Sequence, residues 1–446
     1  MGAPLPAGAD ALCFAFDATG STSRARFAAQ VRALAARLPD AGHAVNLCED
    51  RYRFLVAFCA IAVRGQINLL PPNRTHAAIE DVRLQYPDSY CIGDGEACGC
   101  DMTLQPDAHF VPLPAELPTL DGAPLQVDDA AIVAIGFTSG STGKPTPNAK
   151  TMGSFRISTA QNLAALASLW PAGAAPQVVA TVPPQHMYGV ELSVMLPLLS
   201  AAAVHRGRPF FPDDIARALA HADAPRLLVS TPVHLRALLE SGLSLPPLAG
   251  IVTATAPLGQ ELAAEAEARF GCEVREAFGS TETCIFAFRR TARDAAWTLC
   301  PGVRLQPRPD GTVVSAPHLA QPVLLADLVE VEGDGRFVLR GRQADLLEIA
   351  GKRASLADLT RRLLAVPGVQ DGAMFQLESG AGGVRRIAAV FVSGTLDEAA
   401  VREALRHGID PVFLPRPLRR VAVLPRNETG KLPRAALLQL LHCGKT

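Results

Sequence analysis

The sequence predicts a large α/β domain, with layered parallel sheets, helices and a small β portion, followed by a small α+β domain. Three observations predict it. At 446 residues the chain exceeds what one ordinary core holds. Through its first part, short apolar runs of strand length alternate with segments of helical periodicity, the order expected of parallel strands joined by helices. After Gly341 the texture changes to arginine-rich short strands and helices over roughly a hundred residues, an ordinary domain size.

In Arg24–Leu38 the apolar residues Phe27, Val31, Leu34 and Leu38 recur at helical spacing. Ala44–Leu47 follows as a short strand, and Arg51–Val63 as a helix apolar on most sides and therefore buried. Asp94–Pro124, rich in Gly, Pro and Asp, is expected to be an irregular connection. Val178–Val182, Leu227–Val229 and Ile251–Thr253 read as buried strands. Each precedes a helical stretch, at Val190–Ser200, Pro232–Leu239 and Leu258–Phe270. Later, Ser355–Leu364, Glu398–His407 and Pro433–Leu441 are expected as helices, and Ala373–Gln376 and Ile387–Val392 as strands. Residues 1–341 would form the first domain, 342–346 the connector and 347–446 the second.

Composition narrows the function classes. With 49% hydrophobic and 19% charged residues the chain has a globular balance. A net charge of −1 gives no basic field for nucleic acid, and 5% aromatic residues leave few stacking platforms for bases. The ten cysteines match no common zinc spacing, Cys98-Gly-Cys100 with Cys91 included, and are expected as reduced thiols. No basic stretch followed by an apolar one opens the chain, and runs such as Phe54–Val63 are too short to span a bilayer. A cytoplasmic protein without a membrane span is expected.

Chemistry concentrates in Phe137-Thr-Ser-Gly-Ser-Thr-Gly-Lys-Pro145. Gly140 and Gly143 permit close backbone approach, Thr138, Ser139, Ser141 and Thr142 offer hydroxyls, and Lys144 offers a cation, a set suited to phosphate oxygens. It is not a P-loop. Thr138 stands where that pattern needs glycine, and Pro145 opposes the helix that should follow. Downstream come Glu276-Ala-Phe-Gly-Ser-Thr-Glu-Thr283, Leu325-Ala-Asp327, Gly341-Arg342-Gln-Ala-Asp345 and Arg426-Asn-Glu-Thr-Gly-Lys431-Leu-Pro-Arg434.

In kind, order and separation these motifs resemble the adenylate-forming superfamily of AMP-dependent acyl- and aryl-acid ligases, across nearly the whole chain. The resemblance implies that ATP and Mg2+ convert a carboxylic acid to an acyl-adenylate, which then passes to a thiol. Thr138, Ser139, Gly140, Ser141, Thr142, Gly143 and Lys144 would cradle the phosphates. Thr255, Ala256 and Pro257 would lie against the base, Phe278 and Gly279 would join the ATP site, and Asp327 with Arg342 would hold the ribose. Glu282 would hold the metal, and Thr281 would face the α-phosphate. His186 would gate an acid pocket formed by Met187, Tyr188, Gly189, Gly279 and Ser280. Lys431 would enter on a mobile C-terminal lid that turns about Ala344–Asp345, with Gly351 on the loop near the thiol.

The chain departs from the family pattern at several places. Thr146 stands where a second lysine is usual, Lys150 being the nearest substitute, and Leu325-Ala326 replaces the usual Thr-Gly ahead of Asp327. Met187 occupies a place where amino-acid-activating relatives carry an aspartate, so an α-ammonium would lack a partner and an aryl or fatty acid is expected. The compressed form is similar to stand-alone ligases of bacterial aryl-polyene and xanthomonadin-type clusters. That likeness implies an acyl carrier protein's phosphopantetheine as acceptor, with free CoA as the alternative. Two rivals differ in class: a non-catalytic nucleotide-binding relative, and a phosphoryl-transfer kinase, which would yield ADP in place of AMP.

Overall fold

The computed structural model describes residues 3–94, 110–139, 145–342, 346–349, 352–377, 386–406, 408–427 and 430–442. The chain divides into two compact units, Met1–Val303 with Ala316–Gln321, and Arg304–Ser315 with Pro322–Thr446.

The first unit is α/β. One six-stranded sheet runs in the order Phe110–Pro112, Ser89–Gly93, His43–Asn46, Ile67–Leu70, Ile132–Ser139, Pro145–Thr151. All pairs are parallel except the last, where Pro145–Thr151 returns antiparallel to Ile132–Ser139. In a second sheet Cys13–Asp17, Ala203–His205, Gln177–Ala180, Arg226–Ser230, Gly250–Thr253 and Glu273–Ser280 lie parallel in that order. Cys284–Arg289 and then Trp297–Leu299 continue it antiparallel.

Side-chain caps start the connecting helices where the sequence turns polar. Ser23, Asp50, Thr151 and Thr231 each accept a hydrogen bond from a backbone N–H of the first turn, each worth about 1 kcal/mol. The helix Arg51–Val63 is buried on nearly all sides, as its apolar content requires. Its first residue, Arg51, is fully buried and donates to the Ala180 and Val182 carbonyls at 2.8 Å and to the Ser193 hydroxyl. Burial, with Arg208 nearby, pulls its pKa down to about 9.

Three features depart from the sequence expectations. Met152–Leu166 is a helix that periodicity did not mark, because Ser158, Thr159, Gln161 and Asn162 are buried polar residues that erase an amphipathic pattern. The expected helix Val190–Ser200 begins earlier, at Met187, and widens to a π-helix over Val190–Met195. Within the expected irregular segment, Phe110–Pro112 is a strand, while residues 95–109 lie outside the described residues.

The second unit is α+β. Arg304–Arg308, Gly311–Ser315 and Val323–Leu325 form an antiparallel sheet, and Asp327–Gly333 and Arg336–Arg342 a hairpin. A further sheet joins Asp371–Gln376, Ile387–Val392 and Leu418–Arg420. Its side chains alternate between two cores. Met374, Ala389 and Phe391 meet the helices Leu356–Leu364 and Glu398–Arg406, whereas Ala373, Phe375, Ala388 and Val390 meet Leu437 of Arg434–His442. Among the described residues no helix is long and apolar enough to cross a membrane.

Candidate active site

The motif Glu276–Thr283 forms the end of one strand and the tip of a hairpin. Ser280 pairs with Cys284, leaving Thr281, Glu282 and Thr283 as a three-residue loop. Cys284 closes it with φ at 57°, a left-handed conformation uncommon for a non-glycine residue and worth about 1–3 kcal/mol of strain. Gly279 makes the closure possible, since a Cβ there would lie 2.1 Å from the Cys284 carbonyl oxygen. Ser280 N–H donates to Thr283 Oγ1 at 3.0 Å, and Thr283 N–H donates to Ser280 Oγ at 3.2 Å.

Side chains from three other segments hold the loop from inside. Lys150 Nζ donates to the Glu282 carbonyl at 2.7 Å, His318 Nε2 meets the Thr283 carbonyl at 2.7 Å, and Ile285 N–H donates to Glu191 Oε2 at 2.8 Å. Lys150 and His318 are each 5% exposed and Glu191 1%. Lys150, read from sequence as the nearest substitute for a phosphate-binding lysine, thus has its ammonium on a backbone carbonyl. His318 Nδ1 lies 2.7 Å from Gln161 Oε1, and Gln161 Nε2 donates to the Pro301 carbonyl. Two acceptors flank the ring, while burial, reinforced by Lys150, lowers its pKa. Burial pushes the Glu191 carboxyl up to about 7 against the hydrogen bonds it accepts from Ile285 N–H and Asn162.

Gly136, in the strand that leads into the phosphate-loop motif, shows what the loop faces. A Cβ on it would stand 2.8 Å from Thr281 Cγ2 and 2.9 Å from Met187 Cε. The phosphate-loop strand, the Thr281–Glu282 loop and the segment after His186 therefore converge at one point. Met187 and Tyr188 are buried, and Tyr188 donates its hydroxyl hydrogen to the Val252 carbonyl at 2.8 Å. His186 is half-buried and stands ahead of the helical turn Met187–Gly189. Thr138 is half-buried at the end of its strand and pairs with Thr146, the residue found where a second lysine was expected; Ser139 ends the strand opposite Pro145.

In the segment expected to meet the base, Thr255 carries φ at 78°. Its hydroxyl and that of Thr253 are buried with no hydrogen-bond partner among the described residues, so both keep hydrogen-bonding capacity. Ala256 is half-buried and Pro257 exposed beside it. Phe278 packs between the Phe286 and Trp297 rings, with centroids 5.2 and 5.0 Å away. Sequence reasoning gave Glu276 no role. It is buried, accepts from Leu258 N–H at 3.0 Å, and accepts from Arg289 Nε and Thr291 Oγ1 at 2.7 Å, so it ties the base segment to the hairpin. Its strand Glu273–Ser280 also carries Glu273 and Arg275, so the charge of Glu276 did not set it apart; its place at the head of the motif was the one signal.

In the second unit Asp327 is buried and opens its hairpin in register with Arg342; its backbone carbonyl accepts from Thr312 Oγ1 at 2.6 Å. Lys431 is exposed. Its backbone is fixed by Asn427, whose Oδ1 accepts from Lys431 N–H at 2.9 Å and whose N–H donates to the Lys431 carbonyl at 2.9 Å. Arg426 braces this turn, donating to both Asp371 carboxylate oxygens at 2.7 and 2.9 Å and to the Gly430 carbonyl at 2.8 Å. The cradle residues Gly140, Ser141, Thr142, Gly143 and Lys144, the hinge residues Ala344 and Asp345, and Gly351 lie outside the described residues.

The site fits a magnesium ion brought with phosphates. Glu282 offers one half-buried carboxylate, and among the described residues no group of three His, Cys, Asp or Glu side chains could cage a metal. Mg2+ commonly takes one or two carboxylates and completes its shell with phosphate oxygens and water.

A large α/β unit carrying this hairpin, with a small α+β unit, defines the class of adenylate-forming ligases. The model of the family of AMP-binding enzymes matches residues 5–312, and the chain belongs to that family. It is 31% identical over 301 residues to a 4-coumarate–CoA ligase of Rhodobacter capsulatus, covering 67% of this chain and 74% of that protein. It is 27% identical over 380 residues to a sulfoacetate–CoA ligase of Cupriavidus necator, covering 76% and 72%. Among solved structures, ATP-bound MatB from Rhodopseudomonas palustris shares the fold at TM-score 0.82 and 19% identity, over 97% of this chain and 96% of that one. The protein is an adenylate-forming acid–thiol ligase that activates a carboxylic acid with ATP.

Proposed function

We propose that this ligase joins an aryl or fatty acid to CoA through an acyl-adenylate. The observation that supports the reading is the convergence of Gly136, Thr281 and Met187, where a hydroxyl-bearing loop meets the buried apolar side chain to which the reading assigns the acid. Met187 after the gate is apolar and the Tyr188 hydroxyl donates to the Val252 carbonyl, so neither supplies the carboxylate that an α-ammonium would need, which favours an acid without one. The acid's carboxylate oxygen attacks the α-phosphorus of ATP and pyrophosphate departs. Little covalent work falls to the protein, so its residues position the reactants and offset charge.

Thr281 would donate its hydroxyl hydrogen to an α-phosphate oxygen, and Glu282 would hold Mg2+, which offsets phosphate charge when bound. The turn Thr138–Lys144 would cradle phosphates, the Thr253 and Thr255 hydroxyls would meet the nucleotide, and Asp327 with Arg342 would anchor the ribose. His186 would gate the acid. Lys431, braced by Arg426, would bridge carboxylate and α-phosphate in the first half-reaction, carried by 347–446 as a lid turning at 342–346. Gly351 would line the thiol's approach in the second. A cytoplasmic setting accords with the use of ATP and CoA.

CoA is favoured as acceptor because the relatives matched over most of their length are CoA ligases. An acyl carrier protein, the acceptor of the aryl-polyene-type ligases the chain resembles, is the competing reading. The test is a panel of aryl, medium-chain and long-chain acids assayed for pyrophosphate release, with hydroxylamine as trap. AMP and a hydroxamate from at least one acid are expected, and the same acid should then give a thioester with free CoA. ADP as product, or no pyrophosphate with any acid, overturns the reading. Transfer only to a carrier protein reverses the acceptor.

A further inference from the structure

We propose that Glu191 and Lys150 are positioning residues: a buried carboxylate and ammonium that grip the backbone of the Thr281–Glu282 loop and hold it in register for adenylation. The inference rests on the reading of that loop given above.

Both side chains end on the same short stretch of chain. Lys150 reaches from the strand Pro145–Thr151 to the Glu282 carbonyl at 2.7 Å, and Glu191 reaches from the π-helical Val190–Met195 to Ile285 N–H at 2.8 Å. The groups around them come from every packed element. Asn162 Nδ2 donates to Glu191 Oε1 at 3.3 Å, with Ser158 on the same helix. The Cys284 and Cys300 thiols face Glu191, and His318 faces Lys150. Among the described residues, Lys150 is the cation that acts on Glu191.

Burying a carboxylate and an ammonium is costly, and a well-packed apolar pair in their place is often as stable or more so. Stability alone is therefore a poor account of why two charges stand behind this loop. Geometry supplies a better one. The loop carries the hydroxyl and carboxylate assigned to the phosphates, and a hairpin tip is ordinarily mobile. Here the carbonyl of the metal-holding residue and the N–H three residues on are both fixed by groups that cannot move without opening the core. Because Glu191 follows the gate segment, the grip also joins the acid side of the site to the phosphate side.

The test compares Lys150→Met, Glu191→Leu and the double variant with wild type, using an acid that wild type activates. Lys150→Met takes the donor from the Glu282 carbonyl and the cation from beside Glu191, Glu191→Leu leaves the Lys150 ammonium buried without its carboxyl neighbour, and each is expected to lower the unfolding midpoint. The double variant should recover the midpoint while its pyrophosphate-exchange kcat stays down on the order of 10²-fold, the scale of an ångström of misplacement. KM for the acid should move less than about threefold, since ground-state binding is untouched. Recovery of midpoint and kcat together would show an ordinary core pair and overturn the proposal.

Glu191→Gln supplies a second arm that keeps the acceptor for Ile285 N–H. Asn162 Oδ1, unpartnered among the described residues, can turn to meet the new amide. Its kcat is expected within about fivefold of wild type, the scale of one hydrogen bond's change in strength. Amide exchange at Ile285 should remain slow in Glu191→Gln and speed up in Glu191→Leu; equal exchange in both variants also overturns the proposal. Wild type inactive toward every acid defeats the function reading, whereas the amide-exchange arm judges the grip by itself.

Discussion

Gly136→Ala tests whether the phosphate-loop strand, the hairpin loop and the acid segment truly meet. The added methyl would sit 2.8 Å from Thr281 Cγ2 and 2.9 Å from Met187 Cε. Carbon atoms in contact prefer roughly 3.5–4.0 Å, so the intrusion is roughly 0.6–1.2 Å on two sides. Met187 can swing its terminal methyl aside, being unbranched and flexible. Thr281 cannot yield as cheaply, because it is β-branched and its loop neighbours Ser280 and Thr283 are hydrogen-bonded to each other. The loop itself must give. Overpacking of this kind costs about 1–3 kcal/mol of stability, and displacing a positioned group by about 1 Å can cost on the order of 10²-fold in rate. The expected variant is folded, melts a few degrees lower, and exchanges pyrophosphate 10- to 100-fold more slowly at saturating acid and ATP. Gly394→Ala, where an added methyl meets nothing within 4 Å, serves as control. A Gly136→Ala enzyme with undiminished kcat would refute the convergence.

Three further outcomes follow from the same geometry. Lys431→Ala should suppress adenylate formation on the order of 10²-fold or more, while thioester formation from presynthesised adenylate suffers far less; equal loss in both half-reactions sinks the assignment. Asp327→Ala should raise KM for ATP roughly tenfold or more with a smaller change in kcat, as loss of a charged hydrogen-bond acceptor implies, and an unchanged ATP KM removes it from the ribose site. Glu191 makes stability depend on pH: its folded pKa of about 7 exceeds the ordinary 4.5, so the folded chain holds a proton that the unfolded chain has lost. Its contribution therefore falls as pH rises from about 4.5 to 7, by roughly 3 kcal/mol in all, and Glu191→Gln should flatten that part of the unfolding-midpoint profile.

The fold was legible where local pattern and burial agree. Arg51–Val63 reads as a buried helix because it is apolar all round, and Ile387–Val392 reads as a strand because β-branched and small apolar residues run unbroken. Met152–Leu166 was illegible for the opposite reason: its inward polar residues meet partners far away in sequence, such as Gln161 with His318 and Pro301. The site divides in the same manner. Motif order singled out Thr281, Glu282, Met187 and Asp327, which belong to recognisable strings and to which the proposed function gives ligand contacts. Glu191 and His318 act on backbone groups of distant segments, and nothing in their own neighbourhoods marks them; Glu276 heads a recognised motif, but its partners Leu258, Arg289 and Thr291 lie outside it.

One strand explains why the motif is contiguous. Glu273–Ser280 is held near its start by Glu276, which gathers Leu258 N–H, Arg289 and Thr291, and beyond its end by Lys150, His318 and Glu191. The first cluster fixes the segment that carries the unpartnered Thr253 and Thr255 hydroxyls; the second fixes the Thr281–Glu282 loop. Base and phosphates of one nucleotide need a constant separation between the groups that meet them. A β-strand rises 3.2–3.4 Å per residue and stretches little, so it sets that separation rigidly when both ends are tied to the core. The left-handed Cys284 fits this account, since strain of that kind persists only where the surroundings over-determine the backbone. Two buried polar clusters on one strand therefore fix the spacing between the Leu258 segment and the Thr281–Glu282 loop, the spacing that the proposed nucleotide site would require, and the charged residues they bury are placed for geometry before stability.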